Sequence, residues 1–205
     1  MNMIAIITGD IINSRGHNSM EWMAKLKSCL TQWGDTPSAW EIYRGDEIQL
    51  RIKVKDALFA AIQLKALIKS IKGLDIRMGI GVGSETYIGA GVSESNGTAY
   101  QRSGRTLEEL KENKVTLMFT SSDEEYNKTM NLILKLASDF MDDWSPVSAE
   151  MVFLSLSCPN ESQQNLAEQF NIKQSAVSQR KKRARLNLVE DLLAYYEQSI
   201  NTIKE

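Results

Sequence analysis

Trp40-Glu41-Ile42-Tyr43-Arg44-Gly45-Asp46-Glu47-Ile48-Gln49-Leu50-Arg51-Ile52-Lys53-Val54 is the stretch on which the fold turns. Ile48, Leu50, Ile52 and Val54 alternate with Gln49, Arg51 and Lys53, the two-residue period of a half-buried strand. Trp40–Tyr43 reads as a second strand, and Arg44-Gly45-Asp46-Glu47 as the turn between them. The pair is a β-hairpin with its bend at or near Gly45-Asp46.

The flanks supply a strand and a helix on each side. Upstream, Met3–Thr8 is a continuous apolar, β-branched run that fits a buried strand. Asp10 follows just past it, in a polar exit over residues 9–15. Met20–Trp33 then carries Trp22, Met23, Leu26, Leu30 and Trp33 at helical spacing, with Ser19 as its expected N-cap. Downstream, Asp56 is the expected cap of a helix reaching about Ile71, and Leu74–Val82 is a strand. Its Gly79 and Gly81, with Gly83 just beyond, invite close approach by another element. The order is β-α-β-β-α-β, which predicts a ferredoxin-like α/β (α+β) domain. An extension follows: a helix over Gly97–Lys111, a strand over Val115–Phe119 and a long helix over Asp123–Met141.

Strands stop at Asp142-Asp143-Trp144-Ser145-Pro146. Ser145 followed by Pro146 is an N-cap and first-position proline. Helices are expected over 146–156, 161–170 and 174–200. The predicted organisation is therefore a domain over 1–143 and a small all-helical domain over 144–205.

Within the second domain, residues 163–184 have the pattern of a helix-turn-helix. Ala167 is the small residue needed where two helices cross closely. Asn171 stands at the turn, where positive φ is required. Phe170, Ile172 and Val177 lock the angle. The second helix opens with Gln174, Ser175, Ser178 and Gln179, suited to base edges in a major groove. Arg180, Lys182 and Arg183 follow, suited to phosphates. Lys181 stands where such a helix often keeps an apolar residue. The chain has a formal net charge of −2 and a pI of about 5.6, which excludes a globally basic nucleic-acid binder. The total hides a local patch, because Lys173–Arg185 holds six basic side chains and no acidic one. DNA is the expected partner. A helical protein-interaction module with a solvated basic face is the plainer reading of the same run. The seam Leu188, Leu192, Leu193, Tyr195, Tyr196 and Ile200 is expected to pack on the chain's own domains or on a second copy, and a homodimer suits palindromic half-sites.

Asp10 and Asp46 are the candidate metal ligands. The predicted order sets the first strand beside the hairpin, so the two carboxylates converge at one edge. Paired carboxylates suit Mg2+ with a nucleotide. Asn13, Arg15, Arg44 and Gly45 flank them as candidate ligand-binding residues. Asp in a turn also serves its own backbone, and Arg beside a carboxylate can be a plain ion pair.

The same residues carry a resemblance. Ile7-Thr8-Gly9-Asp10-Ile11 resembles the first metal strand of class III nucleotidyl cyclases, Arg44-Gly45-Asp46 their hairpin, and 77–83 their glycine-rich strand. Gln101 and Arg105 stand at the spacing of that family's Asn and Arg, which adds them to the ligand-binding set. Ile42 stands in place of its Lys, and Gln101 in place of its Asn. The resemblance implies a cyclase-type fold and a nucleotide-sized ligand, with a metal-dependent cyclase or nucleotidyl transferase as the alternative activity. A closer resemblance spans nearly the whole chain. Segments 7–15, 40–46, 75–81, 103–111 and 174–180 are similar to the SatD family, which implies a bacterial cytoplasmic protein of regulatory role.

Other chemistries find little footing. Ser14 and Ser103 lack a nearby base for nucleophilic catalysis. His17, the only histidine, is expected to be solvated in its loop. Cys29 and Cys158 are too far apart in sequence to suggest a metal pair, and both are expected to be buried. No run approaches a membrane span, and Met3–Thr8 is expected to be a strand rather than a signal segment.

Overall fold

The computed structural model describes residues 3–203. It is a mixed α/β structure with one five-stranded sheet and, among the described residues, eight α-helices. The strands are β1 (Ile4–Ile12), β2 (Trp40–Tyr43), β3 (Glu47–Ile52), β4 (Asp75–Gly83) and β5 (Leu117–Thr120). The helices are α1 (Ser19–Thr31), α2 (Ala57–Lys69), α3 (Thr98–Asn113), α4 (Glu124–Met141), α5 (Pro146–Ser157), α6 (Gln163–Gln169), α7 (Gln174–Arg183) and α8 (Leu186–Ser199).

The sheet order is β2-β3-β1-β4-β5. β1 pairs antiparallel with β3 on one side and β4 on the other, and β5 adds parallel to β4. β2 and β3 form the expected antiparallel hairpin, with Ile42 opposite Ile48. Arg44 (φ 52) and Gly45 (φ 90) take the left-handed backbone that so short a bend demands.

Alternation along the strands gives the two sheet faces different chemistry. Ile7 and Ile11 of β1, Ile48 and Leu50 of β3, and Ile76, Met78 and Ile80 of β4 build the main core with α1 and α2. α2 is buried along nearly its whole length, so it is apolar on almost every side. Its one fully buried charge, Lys65, lies 3.0 Å from Asp75 and 2.7 Å from Asp142. The opposite face belongs to α3. There Thr8 Oγ1 and Ser103 Oγ lie 2.9 Å apart. Gly79 and Gly81 let the α3 backbone sit directly on β4: a Cβ on Gly79 would meet Ser103 O at 2.8 Å.

The core continues past residue 143. Trp144, Ala149 and Val152 of the α5 region, and Val189, Leu192 and Tyr196 of α8, belong to the same apolar cluster as the sheet and α2. Tyr196 donates its hydroxyl to Val54 O at 2.7 Å, and Trp144 Nε1 donates to Ala184 O at 2.9 Å. α6 and α7 pack in a separate cluster, formed by Leu166, Ala167 and Val177 with Met151 of α5.

Several local expectations shift. β1 runs on to Ile12, so Asp10 lies within a strand rather than after one. The cap of α1 is Asn18, whose side chain accepts from Met20 N. Asp56 makes no side-chain cap bond to α2. Ser145 does cap α5, accepting from Ser148 N. The single helix expected over 174–200 is two, parted at Arg185 with φ 53. Cys29 is buried, but Cys158 is exposed. Among the described residues no helix is long and apolar enough to cross a membrane.

Candidate functional site

Three strands set one row of charges. Asp10 on β1 is opposite Glu47 on β3 and opposite Arg77 on β4. Arg77 Nη1 stands 3.7 Å from Asp10 Oδ2, and Arg44 Nη1 stands 3.8 Å from Glu47 Oε2. Asp46 precedes Glu47, and its backbone oxygen accepts from Ile11 N at 3.0 Å. That bond fastens the hairpin bend to β1 and brings Asp46 beside Asp10.

Beyond β1 the chain turns over a cavity of about 640 Å³. Asn13 takes a left-handed backbone (φ 65), and its side-chain amide donates to Gly73 O at 3.2 Å. A short 3-10 turn, Ser14–Gly16, follows, and Ser14 Oγ donates to Asp46 Oδ2 at 2.7 Å. Asp10, Asn13, Ser14, Arg15, His17, Asp46, Gly73 and Arg77 line the space. The lining holds two carboxylates, two guanidinium groups and the imidazole.

Asp10 is perturbed by its surroundings. Burial pushes its pKa up. The Arg77 and Lys111 charges oppose that rise, while Asp46 and Glu108 add to it. Its Oδ1 is buried and has no hydrogen-bond partner. Desolvation of an unpaired carboxylate oxygen is costly, so it is an atom that a bound cation or a donor would satisfy.

Of the residues expected at this site, Asp10, Asp46, Asn13 and Arg15 line the cavity. Arg44 and Gly45 stay at the hairpin bend outside its lining, with the Arg44 side chain 80% exposed. Gln101 and Arg105 are on the exposed side of α3 and are outside the lining as well. α3 turns Ala99, Ser103 and Leu107 toward the sheet, which leaves those two facing away. Arg77 and Ser14 were missed as site residues. Arg77 shares the otherwise apolar β4 with Asp75, and only its register against Asp10 reveals its role. His17 also lines the cavity.

The second candidate site is α7. Val177 is fully buried and anchors the helix against α6 and α5. Asn171 takes φ 51 at the turn, and Ile172 N donates to Ala167 O at 2.9 Å. Gln174, Ser175, Ser178, Gln179, Lys182 and Arg183 are exposed together on the outer side. Arg180 differs: it is half-buried, with its guanidinium 5.7 Å over the Phe170 ring. Lys181 is half-buried too.

No curated protein and no solved structure matches the chain. The family model described as the SatD family matches residues 3–191, and the chain belongs to that family.

Proposed function

We propose that this protein is a DNA-binding regulator whose α/β part senses a nucleotide or a similar anionic ligand. The observation that carries the reading is the disposition of α7. Val177 is buried while Gln174, Ser175, Ser178, Gln179, Lys182 and Arg183 stand exposed, giving a polar and basic face on a rigidly seated helix. With the left-handed turn at Asn171, this supports a helix-turn-helix made of α6 and α7. The groups at the start of α7 would read base edges, and the basic groups after them would bind phosphates.

The strand order β2-β3-β1-β4, antiparallel throughout, supports a ferredoxin-type, cyclase-like sheet. Arg15 and Arg77 in the cavity suit phosphate oxygens, and His17 sits among them. The unpartnered Asp10 Oδ1 fits a divalent cation, which Asp10 and Asp46 would hold. Such a cation would neutralise phosphate charge. α2 joins the two parts. The turn after it supplies Gly73 to the cavity. Its Leu64 and Leu67 share one apolar cluster with Ala149 and Val152 of α5, the helix on which α7 rests.

Titrating the full chain with a DNA fragment from upstream of its own gene, at several salt concentrations, tests the reading. The expected result is binding whose affinity falls steeply with salt. No binding at low salt, with or without nucleotide and Mg2+, overturns it. If Arg183→Ala weakens a protein complex and DNA is not bound at all, α7 is instead a protein-docking helix.

A metal-dependent cyclase or nucleotidyl transferase is the second reading, favoured by the same pair of carboxylates and the free Oδ1 of Asp10. It requires product from a nucleoside triphosphate with Mg2+ or Mn2+, lost in Asp10→Ala and Asp46→Ala. Absence of turnover across the four triphosphates removes it and leaves a sensor.

A further inference from the structure

Eight large apolar side chains stand exposed among the described residues, and four of them gather on one face. They are Leu132 and Leu136 on α4, and Leu188 and Tyr195 on α8, with exposures of 60%, 67%, 43% and 41%. Leu136, Leu188 and Tyr195 line one groove between the helices, and Leu132 lies one turn before Leu136 on the same side of α4. Clustered apolar exposure of this kind marks an interface, whereas single exposed residues do not.

Charge on the same groove identifies the occupant. Arg185 and Asp191 both line it. Arg185 is held there by its left-handed backbone and by its guanidinium, 5.4 Å over the Phe140 ring. Leu188 lies midway between the two charges in sequence. When α8 packs antiparallel against a second α8 about a two-fold axis at Leu188, Arg185 meets the partner's Asp191, and Asp191 meets the partner's Arg185. A parallel arrangement would set like charge against like. The groove is thus complementary to itself in one orientation, as an isologous interface requires.

We infer that the α4–α8 face binds a second copy of this chain, antiparallel through α8, with Leu132, Leu136, Leu188 and Tyr195 as its apolar centre and two Arg185–Asp191 pairs at its rim. The 18 residues of α4 give a face about 27 Å long and about 20 Å across two helices. That is roughly 500 Å² per copy, at the low end for a specific interface, the range of weak and transient association. Arg185 lies two residues past the end of α7, so the same axis would fix the spacing of two α7 helices. That consequence rests on the DNA-binding reading; the dimer does not.

The test is sedimentation velocity on the full chain without DNA, from about 1 to about 100 µM. The expected result is a rise toward twice the monomer mass. Leu136→Glu should leave a folded monomer, and its melting curve checks the fold, since this side chain is largely exposed. Arg185→Asp and Asp191→Arg should each weaken association at least about tenfold, and the double swap Arg185→Asp/Asp191→Arg should restore it. A wild-type chain that stays monomeric overturns the inference. So does a dimer indifferent to Leu136→Glu, or a double swap that remains monomeric. A dimer that forms normally and ignores DNA sinks only the DNA-binding reading.

Discussion

Ser14 Oγ donates a 2.7 Å hydrogen bond to Asp46 Oδ2, joining the first turn after β1 to the bend of the central hairpin. The bond adds a side-chain tie beside the backbone bond from Ile11 N to Asp46 O that already fastens the bend to β1. It orients Asp46 toward the cavity while the neighbouring Asp10 keeps an oxygen without a partner. Ser14→Ala should therefore act more on binding than on folding. The loss in stability should be about 1 kcal/mol. On the ligand-sensing reading, nucleotide with Mg2+ raises the melting temperature, and that rise should shrink markedly, because it measures affinity for the native state. An unchanged ligand response in paired melting curves would show that Asp46 needs no such support.

Asp10 carries a pH signature. Burial raises its pKa in the folded chain above the ordinary carboxyl value. The contribution to stability is full below that ordinary value and is lost as pH rises through the folded one. At neutral pH the ionised, partly desolvated carboxylate therefore weakens the fold. Asp10→Asn is expected to melt higher than the wild type at pH 7, and the advantage should fade as the pH falls toward about 4. A cation needs the ionised form, so the same variant should lose its response to nucleotide with Mg2+. Melting curves across pH, with and without ligand, check both halves; a variant less stable at pH 7 refutes the desolvation account.

How much was legible follows from which physics is local. The alternation over 48–52 reappears as buried Ile48, Leu50 and Ile52 on β3. The backbone demand at Asn171 and the Ser145-Pro146 cap were readable because each is set within a few residues. The length of β1 was not. Its ladder is carried on to Ile12 by the nine-residue β4 beside it, and that moves Asp10 into the strand. Arg77 likewise becomes a site residue only through a neighbour 67 positions away in sequence, at Asp10. The break at Arg185 has no glycine or proline to announce it, and apolar spacing runs across it. Residue 143 marks a change from strands to helices in the sequence. The apolar sides of α5 and α8 nevertheless find their partner in α2, and an amphipathic pattern says that a face is buried without saying against what.

Close contact between α3 and β4 depends on glycine. A Cβ on Gly81 would run into the backbone of Ser103 and Ala99, which no side-chain rotation relieves. Gly81→Ala should cost about 3 kcal/mol, read from denaturant unfolding. Gly16→Ala, where a Cβ would meet nothing within 4 Å, should change stability by less than about 0.5 kcal/mol. Equal costs at the two positions would mean that α3 can move off the sheet.

The basic residues of α7 should separate into two kinds in a salt titration of DNA binding. Lys182 and Arg183 are exposed, so as phosphate contacts each would release about one counterion. Alanine at either position should lower affinity on all sequences and reduce the slope of log K against log salt by about 0.9. Arg180 is half-buried over Phe170, so its larger role is to seat the helix. Arg180→Ala should lower affinity with a smaller change in slope, and should lower the melting temperature as well. Gln174 and Ser178, at the start of the helix, should behave in a third way: substitution there should alter the ranking of DNA sequences while leaving the slope in place. Slopes unaltered by Lys182→Ala and Arg183→Ala would remove α7 from the DNA contact.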